Sequence, residues 1–194
     1  MLGSIKYNLS NLLNFKGRDA RQTFWFYVLF LVIIQYAAGM LVAMPMMGGM
    51  MKGAFGAAQQ GVSDAELQAR MMVQVAGYMR TSMTLSAVIS TISALFMLAA
   101  FVRRLHDSNK PGWIAFVVLA MSLTAQVLIW SKMGEVITAM TSAPGGDVTS
   151  ALAIQSKVIG ASALSWAAIL VVIICGVLPS TKGPNRYGDA PIRF

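Results

Sequence analysis

The chain has 194 residues, 57% of them apolar and only 11% charged, with 15 Lys and Arg against 7 Asp and Glu. So few charges cannot coat a water-soluble domain of this length. The +8 net charge does not point to nucleic acid either, because its distribution follows apolar runs instead of forming a basic domain.

Four runs carry no charged residue: 22–51, 81–102, 111–131 and 158–181. A bilayer core about 30 Å thick needs roughly 20 apolar residues at 1.5 Å rise each, and all four runs meet that length. The expectation is one all-α membrane domain over residues 1–194, a four-helix bundle with spans at about 22–46, 82–103, 112–132 and 158–179. With the N-terminus placed in the cytoplasm, that side holds ten Lys and Arg against three Asp, a net +7, and the other side five against four, a net +1. Lys and Arg resist translocation, so both termini are expected to be cytoplasmic, in a bacterial inner membrane. The basic face then meets anionic lipid, and nucleic acid is not an expected partner.

Residues 1–21 lack the apolar core of a cleavable signal peptide. Residues 4–15 place Ile5, Leu9, Leu12 and Leu13 on one helical face, as expected of a short helix on the membrane interface, with Gly17 ending it. Asp19 and Gln22 have capping-box spacing for the first span, and Trp25 and Tyr27 suit an aromatic belt. Residues 45–63, rich in Met and Gly, predict an outer segment with little regular structure. Ser63 and Glu66 form a second capping box, so a helix is expected from Asp64 into the second span, either continuous to Val102 or bent at Gly77. Span three continues as helix through residues 132–141. Pro144, Gly145 and Gly146 make a turn, and Asp147 caps a helix running to Leu178. Helices are thus expected to extend beyond the bilayer on the extracytoplasmic side. Cys175 is the only cysteine and has no internal disulfide partner.

Three motifs touch span ends on the basic side. The first joins Phe15, Gly17, Arg18, Arg21, Phe24 and Trp25. The second is Arg103-Arg104-Leu105-His106-Asp107 followed by Pro111-Gly112-Trp113. The third is Pro179, then Gly183-Pro184-Asn185-Arg186-Tyr187-Gly188 and Pro191. Together, in this order, they resemble the bacterial inner-membrane family typified by the YhaH and YhaI proteins, the domain of unknown function 805. The resemblance covers Phe15 to Pro191 and implies an inner-membrane location and a compact helical domain. It implies no activity, substrate or catalytic residue. The Met-rich outer segment and the long hairpin between spans three and four depart from the family pattern.

Two readings of this basic cluster stand side by side. In the structural one, Arg103 and Arg104 complement a helix C-terminus and anchor to lipid phosphates, while Asp107 and Ser108 cap the turn or pair with an arginine. In the other, Arg18, Arg21, Arg103, Arg104, His106 and Arg186 converge with Asn185 and Tyr187 against Asp107 to hold an anionic headgroup or a phosphorylated metabolite, since arginine forks match phosphate. His106 beside Asp107 would suit proton transfer, but no nucleophile accompanies them, and no second His or Cys stands nearby for a metal. No catalytic residue, metal or cofactor is therefore expected.

Within the spans, Gln35, Thr91 (next to Ser90), Gln126 and Ser165 fall at similar depths, roughly 16–20 Å from the basic end. They read as interhelical hydrogen-bonding groups; a solute path is the alternative, without an ionisable group to couple it to protons. Ser82, Ser86, Ser90 and Ala94 repeat at i+4, a stripe compatible with close packing or a homo-oligomer. Met44, Met46, Met47, Met50 and Met51 offer thioethers that suit Cu(I), although without His or Cys they read better as apolar filler. The functional expectation is a non-enzymatic membrane component engaging anionic lipid or a partner through its basic face; the alternative is a small channel or transporter subunit.

Overall fold

The computed structural model describes residues 1–142 and 148–191 and is 80% helix, with no strand among the described residues. Its elements are α1 (Leu2–Ser10), α2 (Arg21–Gln59), α3 (Asp64–Asp107), α4 (Trp113–Ser142) and α5 (Val148–Val177). Helices α2 to α5 each contain a window long and apolar enough to cross a membrane. At 1.5 Å per residue, α3 with its 44 residues measures about 66 Å, well beyond a bilayer core. The protein is a multi-pass, all-α membrane protein. The expected turn at Pro144, Gly145 and Gly146 and the cap at Asp147 lie outside the described residues.

The helix ends follow local chemistry. Ser63 Oγ accepts the Glu66 N–H at 3.4 Å, and α3 begins at Asp64 as the capping residues predict. The helix runs through Gly77 without a break. At its other end the Lys110 N–H reaches Leu105 O at 2.8 Å and the Asn109 N–H reaches His106 O at 3.0 Å. With Asn109 at φ 56°, this is a Schellman stop in which asparagine supplies the left-handed residue. The turn is therefore closed by Asn109, not by the Asp107 or Ser108 side chain.

Several expectations are corrected. Residues 45–59 are helix, continuous with the first span across Pro45. Four Met and three Ala favour helix against four Gly in this stretch, and only one backbone bond is lost at the proline. Helix α1 stops at Ser10 and buries Ser4, Ile5 and Asn8, leaving Leu9 and Leu13 exposed. Gly17, at φ 88°, shapes a turn well past that helix. Asp19 does not cap α2; its carboxylate is taken by Arg103. Tyr27 is fully buried and donates to Phe96 O at 3.3 Å, so it belongs to the core and not to a belt.

The chain forms two compact units. The first comprises Met1–Gln35, Ser90–Ala125 and Ala163–Phe194. Its core gathers Phe24, Tyr27, Leu31, Phe101, Val102, Leu105, Ala115, Val118, Ala168 and Val172. Close approach is set by Gly176, where an added Cβ would lie 2.9 Å from both the Phe24 and Trp25 rings. The second unit comprises Tyr36–Ile89 and Gln126–Ser162. There the Tyr78 hydroxyl donates to Pro45 O at 3.5 Å, and a Cβ on Gly49 would meet that hydroxyl at 2.4 Å. Met44, Met47 and Met51 are exposed, as apolar side chains at a membrane edge would be.

Candidate functional site

The basic end of the first unit contains an ionic cluster that is turned inward. Arg18, Asp19, Arg103, Arg104 and Asp107 are all buried, and the ion-paired side chains have no exposed surface. Burying charge is tolerated only when it is paired and its remaining donors are satisfied. Each arginine meets that condition in a different way.

Arg103 serves the N-terminal segment. Its Nε donates to Asp19 Oδ1 at 3.0 Å, Nη2 to Asn8 Oδ1 at 2.6 Å, and Nη1 to the carbonyls of Asn11 and Asn14 at 2.9 and 2.5 Å. The guanidinium also lies 5.5 Å over the Tyr7 ring. Arg104 serves α5. Its Nε donates to Gly176 O at 3.1 Å, Nη2 donates to Leu178 O, and Nη1 pairs with Asp107 Oδ2 at 2.5 Å. The last carbonyls of a helix have no partner within it, and a cation there complements the helix dipole. Two neighbouring arginines at the end of α3 thus close the C-terminal ends of two other helices.

Arg18 serves the C-terminal tail. Its Nε and Nη2 reach Asp107 Oδ1 at 3.2 and 3.0 Å, Nη2 also reaches Thr181 O at 2.8 Å, and Nη1 reaches Gly183 O and Gly188 O at 2.7 and 3.3 Å. Asp107 is the hub: it accepts from Arg18, Arg104 and Ser180, and its backbone carbonyl takes both the N–H and the hydroxyl of Thr181 at 2.9 Å. The tail turns at residues 185–188, where Asn185 and Gly188 exchange backbone bonds at 3.0 Å. Tyr187 then stacks on His106 at 3.8 Å with the rings 7° from parallel, and Arg186 lies 4.7 Å over Tyr187. The Asn185 side chain donates to His106 O at 2.9 Å.

Of the residues expected to converge, Arg18, Arg103, Arg104, His106, Asp107, Asn185, Arg186 and Tyr187 do meet. Arg21 stays outside, exposed at the start of α2. The assembly differs from a phosphate pocket because the donors of Arg18, Arg103 and Arg104 are spent on the protein's own oxygens. Arg103 and Arg104 do not anchor to lipid as the helix-end reading expected; both are buried. Nor do His106 and Asp107 form a dyad, since the ring faces Gly17 O at 3.3 Å and Tyr187. Among the described residues no group of three His, Cys, Asp or Glu is arranged to hold a metal.

The sequence reading missed Asp19 as the partner of Arg103, and with it Tyr7, Asn8 and Thr181. The available signal was scarcity. The chain has only seven carboxylates, and two of them sit inside arginine motifs. Burial pushes the Asp19 carboxyl above the usual carboxylate range while Arg103 and the Tyr7 hydroxyl pull it back. Of the supposed polar layer, Gln35 is exposed, while Ser90, Thr91, Gln126 and Ser165 are half-buried; Ser90, Thr91 and Gln126 are engaged with neighbours.

A family model described as a protein of unknown function (DUF805) matches residues 12–189, which takes in every arginine of the cluster and the whole tail turn. The chain belongs to the DUF805 family. No curated protein and no solved structure matches it. The DUF805 match begins after α1, so Asn8, which Arg103 holds, lies outside the matched region.

Arg18 is the side chain that makes the most hydrogen bonds to the tail, to the Thr181, Gly183 and Gly188 carbonyls. Arg18→Lys keeps the charge but presents a single ammonium where five donors served. Limited trypsin digestion of the detergent-purified protein is expected to cut at Lys182 and Arg186 at least several-fold faster in the variant. Equal rates would show that the tail is held without Arg18.

Proposed function

We propose that this DUF805 protein is a non-enzymatic component of the bacterial inner membrane whose basic end faces the cytoplasm and docks anionic lipid headgroups. The observation that carries this reading is the division of its cations into two populations. Arg18, Arg103 and Arg104 are consumed internally, while Lys6, Lys16, Arg21, Lys110, Lys182 and Arg186 are exposed at the same end against a single exposed acid among the described residues there, Asp189. Exposed juxtamembrane cations each attract an anionic leaflet by about 1 kcal/mol. The buried cluster is the platform that fixes their positions.

Arg21 and Lys182 supply the most defined place for a headgroup. They line an open cleft of about 520 Å³ together with Ala20, Gln22, Ser180 and Thr181. Backbone N–H groups at the N-terminus of α2 add a partial positive charge there. Native mass measurement of the purified protein titrated with phosphatidylglycerol or phosphatidylcholine tests the reading. In the Arg21→Gln/Lys182→Gln variant one phosphatidylglycerol binding event is expected to weaken about tenfold, the loss expected for charge-assisted hydrogen bonds. Identical retention in wild type and variant would overturn it. Both positions are exposed, so folding is not at stake.

A second reading, a small channel or transporter subunit, rests on Gln35. It is exposed in the middle of an apolar run, and a polar group in hydrocarbon is stabilised by a partner, here a second copy. A strictly monomeric mass in the same experiment removes this reading.

A further inference from the structure

We propose a second phospholipid headgroup site, in the leaflet opposite the basic end, built from Arg80 and the Trp130–Thr138 stretch of α4. A cavity of about 440 Å³ in the second unit is lined by Arg80, Trp130, Ser131, Gly134 and Thr138, with Met133 and Ile137 as its apolar wall. Its level is set by the sequence. Arg80 immediately precedes the uncharged run 81–102, and Trp130 and Ser131 are the last two residues of the uncharged run 111–131, before Lys132. By sequence, Arg80 and Arg103 bound opposite ends of the run 81–102, about 33 Å long as helix, which assigns the cavity lining to the level where hydrocarbon gives way to headgroups at the Arg80 end.

The lining has the chemistry of a phosphodiester site. Arg80 is exposed and makes no ion pair among the described residues, whereas Arg70 is paired with Glu66 at 2.6 Å and Lys132, beside the cavity lining, with Glu135 at 2.8 Å. An arginine fork matches two oxygens of a phosphate. Trp130, half-exposed, presents an indole at the level where aromatic side chains contact headgroups and the first methylenes. Gly134 leaves the floor open, because a Cβ there would meet nothing within 4 Å. A snorkelling arginine that merely anchors its helix needs neither a concavity nor a facing indole. The ligand class is a phosphate carried by an amphiphile, with the apolar wall distinguishing it from free phosphate.

The test uses the full-length protein in detergent, with Arg21→Gln/Lys182→Gln as background so that the basic-end site does not contribute. Native mass measurement follows short-chain phosphatidylglycerol, glycerol phosphate and inorganic phosphate. In this background, one phosphatidylglycerol is expected to bind, and adding Arg80→Gln is expected to weaken it about tenfold. Gly134→Leu fills the cavity while raising helix propensity and is expected to weaken it similarly with unchanged thermal stability. Undiminished lipid binding in both variants would overturn the proposal, and so would inorganic phosphate binding as tightly as the lipid. The outcome is separable from that of the basic-end reading, since neither added substitution touches Arg21 or Lys182.

Discussion

Asp107→Ala is expected to be among the most damaging single substitutions in this protein, costing at least about 3–5 kcal/mol of folding stability. The carboxylate is the shared counter-charge of two guanidinium groups, accepting from Arg18 at 3.0 Å and Arg104 at 2.5 Å, all without exposed surface. Its removal leaves two buried cations facing each other with only neutral carbonyls as partners. The cost of breaking a buried pair is dominated by the charge left behind, and here two are left. Because folded domains retain only about 5–15 kcal/mol of stability, the loss should be visible as a collapse in the yield of monodisperse protein and in the SDS fraction needed to unfold it. Asp107→Asn distinguishes charge from shape. It keeps one acceptor but aims an amide donor at a guanidinium, so it is expected to recover little. An Asp107→Ala protein as resistant to SDS as wild type would show that the hub does not hold this end together.

Arg103→Ala is expected to cost about 3–5 kcal/mol by the converse route. It strips the counter-charge from Asp19, which is 1% exposed, and frees the carbonyls of Asn11 and Asn14 and the Asn8 side chain. The segment carrying α1 should then detach, which hydrogen exchange over residues 2–14 would detect. A pH signature separates this from simple loss of packing. Burial already raises the Asp19 carboxyl in the fold, and without Arg103 it rises further. A group whose folded pKa exceeds its unfolded one favours the fold at low pH and opposes it once pH passes the folded value. The penalty in Arg103→Ala should therefore be small below the ordinary carboxylate pKa, near 4, and full above the raised value. A penalty independent of pH would show that Asp19 is not the orphaned charge. The double variant Arg103→Met/Asp19→Leu, which removes both charges, is expected to regain most of the stability, as hydrophobic replacements of buried pairs often do.

These two predictions depend on burial, which was not legible in the chain. The basic motifs were visible at once, and so was their position beside span ends. Yet Arg103-Arg104 after an apolar run has the same appearance whether the side chains snorkel to phosphate or turn inward. The choice is made by the oxygens available across the end of the unit: Asp19 and Asn8 from one side, Gly176 and Leu178 from another. Those residues lie 72 to 95 positions away from the arginines in sequence, beyond any local pattern. The same applies to Tyr27, which has belt composition but a core location. The stretch 45–59 misled in the opposite sense: its Met- and Gly-rich composition reads as irregular, yet it continues α2 across Pro45.

What the sequence determined by itself is what hydrophobic length and local capping determine: an all-α chain, four segments long enough for a bilayer, the start of α3 at Asp64 and the continuation of α4 past residue 131. Those properties depend on neighbours within a turn or two and on the solvent, so composition and period suffice to read them. Tertiary structure alone decided which arginines are internal and which stay exposed. A buried charge is tolerated only where distant oxygens converge on it, and that convergence is a property of the assembled end and not of any one segment.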